Sequence, residues 1–453
     1  MRLTLETSAA RMLGALSRAV GRGGGTTIPG KLLWKLDPNA IDALATRLND
    51  GVVVVSATNG KTTTTAMLAE ILGDRRLAWN RAGANLMSGV ASALVATRGA
   101  ELGVLEVDEG ALPEALARLR PRAVVLGNLF RDQLDRYGEL EIIAERWRAA
   151  VAALPSTTTL VVNADDPIVA DLAAERELVV RFGLDDPRQA RAGLQHAADS
   201  KYCVRCGAPY RFAAAYVGHL GDYRCETCGH HRPPLDIAAR EIELRGLHAS
   251  RFRLVSAASE VEIELALPGL YNVYNATAAA SLALAIGTSL EDVRVGLARF
   301  GAAFGRFERV AAGGKSVVLL LVKNPAGTNE VVRTLETGIP PVLVVALNDG
   351  IADGQDVSWI WDVDFEPLLE HVGLVIATGE RAAELGLRMR YGGLPDVRLE
   401  VIPSLEQALD RGLSSVEAGT DLVVLPTYTA MLALRAILAK RGAVRPYWEP
   451  QRR

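Results

Sequence analysis

The 453-residue chain carries 50 basic and 53 acidic side chains, a net charge of −3 and 49% hydrophobic residues. This is the balance of a globular protein too long for one ordinary core. It gives no bulk attraction to nucleic acid or to an anionic membrane, and no apolar run reaches the ~20 residues of a spanning helix.

The N-terminal stretch, with Arg2, Glu6, Arg11 and Arg18, lacks the unbroken apolar run of a signal peptide. It predicts a short amphipathic helix over residues 1–20, closed by the glycines after Val20. The expected compartment is the cytoplasm, and residues 1–50 are expected to pack on the domain that follows. The first buried strand is expected at Val52–Val55, a β-branched run bounded by Gly51. Directly after it stands Ser56-Ala57-Thr58-Asn59-Gly60-Lys61-Thr62-Thr63. A loop that opens a helix points main-chain N–H groups and the positive end of the helix dipole at an anion. Gly60 permits close backbone approach, Lys61 supplies a positive charge, and Thr62 offers a hydroxyl to a Mg2+ shell. Thr58, Asn59 and Thr63 complete the candidate ATP cradle. A full G-x4-G-K-[ST] motif would need Gly where the chain has Val55, so a threonine-rich helix cap is the bland alternative.

Further apolar runs at 102–105, 123–126 and 160–162, separated by helical stretches such as 139–153, predict a doubly wound, P-loop-type α/β sheet. Glu106, Asp108 and Glu109 follow the second run. Carboxylates at the carboxyl end of such a strand can serve Mg2+; Glu106 is preferred and Glu109 second, against an ordinary acidic turn. Asn128, Asp132, Gln133 and Asp135 follow the third run and read as either site or helix cap.

Residues 195–235 break the rhythm. Cys203-x2-Cys206 and Cys225-x2-Cys228 have the spacing of a four-thiolate zinc ribbon inserted in the domain, with no open position and therefore a structural role. Gly207 and Gly229 suit the positive φ of two knuckles. His219, His230 and His231 are expected as surface residues beside a complete ligand set. A strand at 261–267 and a helix at 275–286 resume the pattern. A Gly/Ala-rich hinge is expected at 301–314, and strands near 317–322, 341–346, 373–377, 398–402 and 421–425 make a five-stranded, Rossmann-like α/β domain. The expected domains are 51–308 and 309–453.

The order of Ala57–Thr63, Glu106, Asn128…Gly138, Asn163-Ala-Asp-Asp-Pro167, Pro268-Gly-Leu-Tyr-Asn272-Val-Tyr-Asn275 and Gly305-Arg306-Phe-Glu308 resembles the Mur ligase family of ATP-dependent enzymes. The four cysteines, Leu321-Val-Lys323-Asn324-Pro325-Ala-Gly327-Thr-Asn329-Glu330 and the 348–362 segment are similar to the MurT-type branch, the ligase subunits of lipid II isoglutaminyl synthases. In two places the chain departs from the wider family: Ala57 replaces a usual Gly, tolerable at negative φ, and Gln133 replaces a frequent His.

The resemblance implies nucleotide contacts from Asn272, Asn275 and Arg306, with ATP and Mg2+ as cofactors beside structural Zn2+. It implies amidation of the D-glutamate α-carboxylate of lipid II to D-isoglutamine through an acyl phosphate attacked by ammonia. It also implies a GatD-like glutaminase partner, because the cysteines suit zinc and a glutaminase of the common type needs a free cysteine. Asp356, with Asp353 in reserve, would complete that partner's Cys–His pair, against a turn-capping role. Two other readings stay open. One is a synthetase of the same superfamily adding an amino acid. The other is a nucleic-acid-binding ribbon using Lys201, Arg205, Arg211 and Arg224 with Tyr202, Tyr210 and Phe212, which the overall acidity disfavours.

Overall fold

The computed structural model describes residues 27–444 other than 38, 81–82, 133–138, 197 and 302–306, together with Thr7, Ala10 and Met12. The helix expected over 1–20 lies outside these residues but for those three helical positions. Arg306, Gln133 and Asp135 also lie outside them.

A nine-stranded sheet runs β11-β10-β9-β6-β5-β4-β1-β3-β2. Its strands are β1 (Val52–Ser56), β2 (Leu77–Trp79), β3 (Leu102–Glu106), β4 (Ala123–Leu126), β5 (Thr159–Asn163), β6 (Val179–Leu184), β9 (Ile237–Arg245), β10 (Ala249–Ser256) and β11 (Glu260–Leu265). Pairing is parallel from β2 across to β9 and antiparallel from β9 to β11. β1, β3 and β4 are buried at every position, because helices cover both faces; this is why they read as continuous apolar runs. On one face the Lys61–Ile71 and Leu270–Ala285 helices pack with β1 and β3 through Met67, Leu68, Val273 and Ala276. On the other, the Ile28–Leu36 and Ala40–Ala45 helices join the Met87–Ala96 helix through Leu33, Ile41 and Val90, and Gly30 N donates to Ser92 Oγ at 2.8 Å.

In the chain between β6 and β9, the hairpin of β7 (Tyr210–Val217) and β8 (Leu220–Cys225) forms a separate two-stranded sheet. A six-stranded sheet follows, ordered β12-β13-β17-β14-β15-β16. It comprises β12 (Phe307–Ala312), β13 (Lys315–Leu320), β14 (Val342–Ala346), β15 (Leu374–Thr378), β16 (Leu399–Val401) and β17 (Asp421–Pro426). β12 is antiparallel to β13 and the rest are parallel.

Three expectations are corrected. The 301–314 segment is no plain hinge: β12 occupies its second half, and the Ala/Gly content that suggested looseness belongs to a hairpin with Gly313 and Gly314 at its tip. The C-terminal sheet therefore has six strands, not five. The helix expected from 275 begins at Leu270, since Gly269, at φ 87°, stops the preceding chain and Tyr271–Tyr274 continue the buried face. β2, β6, β9 and β10 were not foreseen. β9 and β10 alternate charged and apolar residues only in part, with a register shift between Arg251 and Arg253.

Among the described residues, no helix is long and apolar enough to cross a membrane. Trp147, on the Leu140–Ala152 helix, is fully buried and donates from Nε1 to the carbonyl of Glu109 at 3.0 Å, so it joins the core to an acidic turn. Trp147→Ala should cost about 3–5 kcal/mol, measured as a fall in the urea midpoint at unchanged m-value.

Candidate functional site

β1 ends at Ser56, whose hydroxyl donates to Val107 O at 2.9 Å, and the chain turns over the end of β4. Thr58 N donates to Asn128 O at 2.9 Å, and Asn59 N to Asn128 Oδ1 at 2.8 Å. Asn128 Nδ2 returns a bond to Asn59 O at 3.0 Å. The loop is thus fixed from outside before the helix starts. Gly60 sits at φ 90° as N-cap, and no side chain caps the Lys61–Ile71 helix. Its first turn therefore presents main-chain N–H groups that have no intrahelical partner. A Cβ on Gly60 would fall 1.9 Å from Asn275 Oδ1, so the helix carrying Asn272 and Asn275 is seated directly against the loop. Asn275 Nδ2 donates to Asn272 Oδ1 at 3.2 Å, linking the two. Ala57 is absent from the positive-φ residues. The departure at that position needs no left-handed backbone; its methyl faces Gly127, where a Cβ would come within 2.9 Å.

Lys61 Nζ lies 2.6 Å from Glu109 Oε2, both buried, and also donates to Thr58 O at 3.2 Å. Burial alone would lower the ammonium, but Glu109, backed by Asp108 and Glu106, outweighs it and holds Lys61 above the ordinary lysine range. Burial likewise opposes ionisation of Glu109, yet Lys61 and Lys323 hold its carboxyl below the usual range. The pair therefore stays charged across neutral pH. Thr62 Oγ1 donates to Glu106 Oε1 at 3.0 Å, and Asn85 Nδ2 reaches the same oxygen at 3.3 Å. Asn80 fixes Glu106 from behind through its main chain, donating at 2.7 Å and accepting at 2.8 Å. A hydroxyl and a carboxylate meeting at the helix start fit a hard cation beside phosphate. Glu109 is tied to Lys61 instead.

The second sheet closes the site. Lys323, one of the residues after β13, donates to Thr58 O at 3.1 Å and pairs with Asp132. Burial raises Asp132 more than Lys323 lowers it. Asn324 accepts from Gly327 N at 2.9 Å as cap of the Pro325–Glu336 helix and donates to Asn59 Oδ1 at 2.9 Å. Lys323, Asn324, Asn80 and Asn85 were not singled out as site residues from sequence, because only tertiary contact brings them to the loop. Between the sheets lies a cavity of about 360 Å³ bounded by Gly60–Thr63, Asn272, Asn275, Lys323 and Glu330 among others, within the size of small-molecule sites.

The four cysteine sulfurs all lie within 4.8 Å of one another, with Cys203 and Cys228 at 3.5 Å and Cys206 and Cys225 at 3.5 Å. Four thiols converging from two knuckles, with Gly207 and Gly229 at φ 75° and 78°, fit tetrahedral zinc. The histidines are corrected in part: His219 and His230 are buried. His219 packs at a tilt against Phe130, with 4.5 Å between ring centres, and His230 Nδ1 bonds Tyr210 OH at 2.7 Å. They are held by aromatic neighbours that the linear spacing gave no sign of. Asp353 turns inward to accept from Thr429 N at 2.9 Å and lines the cavity. Burial raises its carboxyl against the pull of Thr429. Asp356 is exposed and accepts from Ser358 N at 2.8 Å.

Solved peptide and Mur ligases share this architecture. The structure of a pseudomurein peptide ligase type C from Methanothermus fervidus superposes with a TM-score of 0.68 at 21% identity, covering 86% of this chain and 78% of that one. MurF ligase from Thermotoga maritima in complex with ADP gives 0.64 at 15% identity, covering 91% and 84%. These define the class as a Mur-ligase-type α/β fold. The Mur ligase middle domain model matches residues 55–219 and the MurT ligase C-terminal model residues 321–431. The Streptococcus pneumoniae lipid II isoglutaminyl synthase (glutamine-hydrolyzing) subunit MurT is 33% identical over 98% of this chain and 99% of its own. The Staphylococcus aureus (strain N315) subunit of the same name is 31% identical over 93% and 94%. The chain belongs to the MurT family of ligases.

Gly60→Ala should weaken nucleotide binding by about tenfold or more and destabilise the fold by roughly 1–3 kcal/mol, read by calorimetry and thermal melting. Cys228→Ser or Cys203→Ser should lower zinc content from one ion per chain and melting temperature together, by elemental analysis and calorimetry; a stable, metal-free protein would contradict the zinc assignment.

Proposed function

We propose that the cavity binds ATP and that the protein amidates the α-carboxylate of D-glutamate in the lipid II stem peptide. The observation that supports this most directly is the uncapped helix start at Gly60, with Asn275 packed where a side chain would be. Main-chain amides of Gly60–Thr63 would hold the phosphates. Lys61, fixed by Glu109, would stabilise charge on the transferring phosphoryl group. Thr62 and Glu106 would hold Mg2+, with Glu109 in reserve; bound there, the ion neutralises phosphate charge.

A carboxylate is a poor electrophile. Its oxygen attacks the γ-phosphorus, the bond to the β-phosphate bridging oxygen breaks, and ADP leaves. Ammonia then attacks the acyl carbon, the C–O bond to phosphate breaks, and a proton is lost as the amide forms. The sequence has four cysteines, and the sulfurs of all four converge within 4.8 Å of one another, so this chain offers no separate thiol nucleophile. A GatD-like glutaminase subunit is accordingly proposed as the ammonia source. Asp356 is exposed and would fix the tautomer of a partner's histidine. Asp353 is occupied by Thr429 and is the weaker candidate. The lipid-linked substrate places the work at the cytoplasmic face of the membrane.

Purified protein with its glutaminase partner, lipid II, ATP and glutamine should give the small mass loss of OH replaced by NH2 on each stem peptide. Lys61→Ala should reduce ATP turnover by about two orders of magnitude with the fold retained. Asp356→Ala should abolish glutamine-supported amidation while ammonium still supports it. A mass gain equal to an added amino acid residue would overturn the amidation reading.

A further inference from the structure

Asp199 and His219 belong to the four-cysteine insertion, and neither the phosphate cradle nor the acyl transfer uses them. Both meet the segment that follows β4. Alternate residues of that segment, Asn128, Phe130 and Asp132, line the cavity, while Leu129 is buried in the hydrophobic core. The segment carries the phosphate loop. Besides the Asn128 bonds to Thr58 and Asn59, Phe130 N donates to Thr58 Oγ1 at 3.0 Å, and that hydroxyl donates to Phe130 O at 3.3 Å. The two flanking N–H groups go instead to carboxylates. Leu129 N donates to Asp166 Oδ2 at 2.8 Å and Arg131 N to Asp199 Oδ2 at 3.0 Å. The Arg131 guanidinium is also bonded to Asp199.

His219 connects these two grips. It stands at the β7–β8 turn and is fully buried. Its Nδ1 accepts from Asp199 N at 3.3 Å, which leaves the ring proton on Nε2. Nε2 lies 3.5 Å from Asp166 Oδ2 and meets no closer acceptor among the described residues. Asp166 is itself fixed as cap of the Pro167–Leu172 helix, accepting from Ile168 N at 2.9 Å and Val169 N at 3.2 Å. The turn is shaped for this approach. Gly218, at φ 56°, has no room for a Cβ, which would fall 2.7 Å from Phe130 Cε1. We propose that Asp199 and His219 are positioning residues for nucleotide binding: the ribbon insertion clamps residues 129–131 against Asp166, so that Asn128 and Phe130 hold the phosphate loop in its binding geometry. This deepens the nucleotide reading above and rests on it.

The test is equilibrium ATP binding to the full-length protein by calorimetry, well below its melting temperature, with zinc content and melting temperature measured beside it. His219→Phe keeps a ring against Phe130 and removes both polar contacts. It should weaken ATP by roughly tenfold, within the range of coupling between connected sites, at unchanged zinc content. His219→Gln returns a donor at the Nε2 position and should bind ATP to within about threefold of the unaltered protein. A lower melting temperature with unchanged ATP affinity is the signature of a residue that only packs the hairpin, and would overturn the proposal. So would His219→Gln binding as weakly as His219→Phe. If His219→Phe does not fold, Asp199→Ala takes its place: it releases Arg131 N from the same clamp, with the same weakening expected and unchanged affinity counting against the proposal. An unaltered protein that binds no ATP would overturn the nucleotide reading itself, and this inference with it.

Discussion

At Gly60 the backbone takes φ 90° and the Asn275 carboxamide oxygen fills the space a Cβ would need. Only glycine satisfies both demands, and much of the site follows from that contact. It sets where the Lys61–Ile71 helix starts and which N–H groups are left uncapped. It also fixes how closely the Leu270–Ala285 helix approaches. Because Asn272 and Tyr271 are carried on that second helix, the position of the whole cavity wall is tied to the same contact.

Around it the charges are arranged in pairs of unlike kind. Lys61–Glu109 and Lys323–Asp132 are ion pairs on either side of the Thr58 carbonyl, which accepts from both lysines. Buried pairs contribute little net stability, since desolvation offsets attraction. Their value here is positional: they hold two ammonium groups beside an anion cradle in a site that would otherwise repel them from one another. The acidic partners also prevent an excess of positive charge when no phosphate is present.

The ribbon and the C-terminal sheet are both part of the enclosure. The β7–β8 turn brings Val217 and Leu220 to the cavity, while the cysteines at the hairpin's other end converge on one point. Asn324 caps its own helix and bonds Asn59, so the start of one domain's helix is fastened to the other domain's loop.

Elements whose signal is local can be read from the chain alone. β1, β3 and β4 are legible because strands buried on both faces are continuous apolar runs, the loop at Ser56–Thr63 because a helix start after such a strand has a fixed chemistry, and the ribbon because metal ligands keep their spacing. The family resemblance pointed to Asn272 and Asn275. Tertiary structure decided what depends on contacts across long stretches of chain. β9 and β10 alternate over Glu241–Arg245 and Ser250–Leu254, but their place beside β6 is set by pairing across the ribbon insertion, and β12 acquires its identity by pairing with β13. His219 and His230 are buried by aromatic neighbours that spacing does not reveal. Lys323, Asn324 and Glu330 meet the loop or its cavity only once the second sheet docks, because packing joins residues hundreds of positions apart and no periodicity in the chain encodes that.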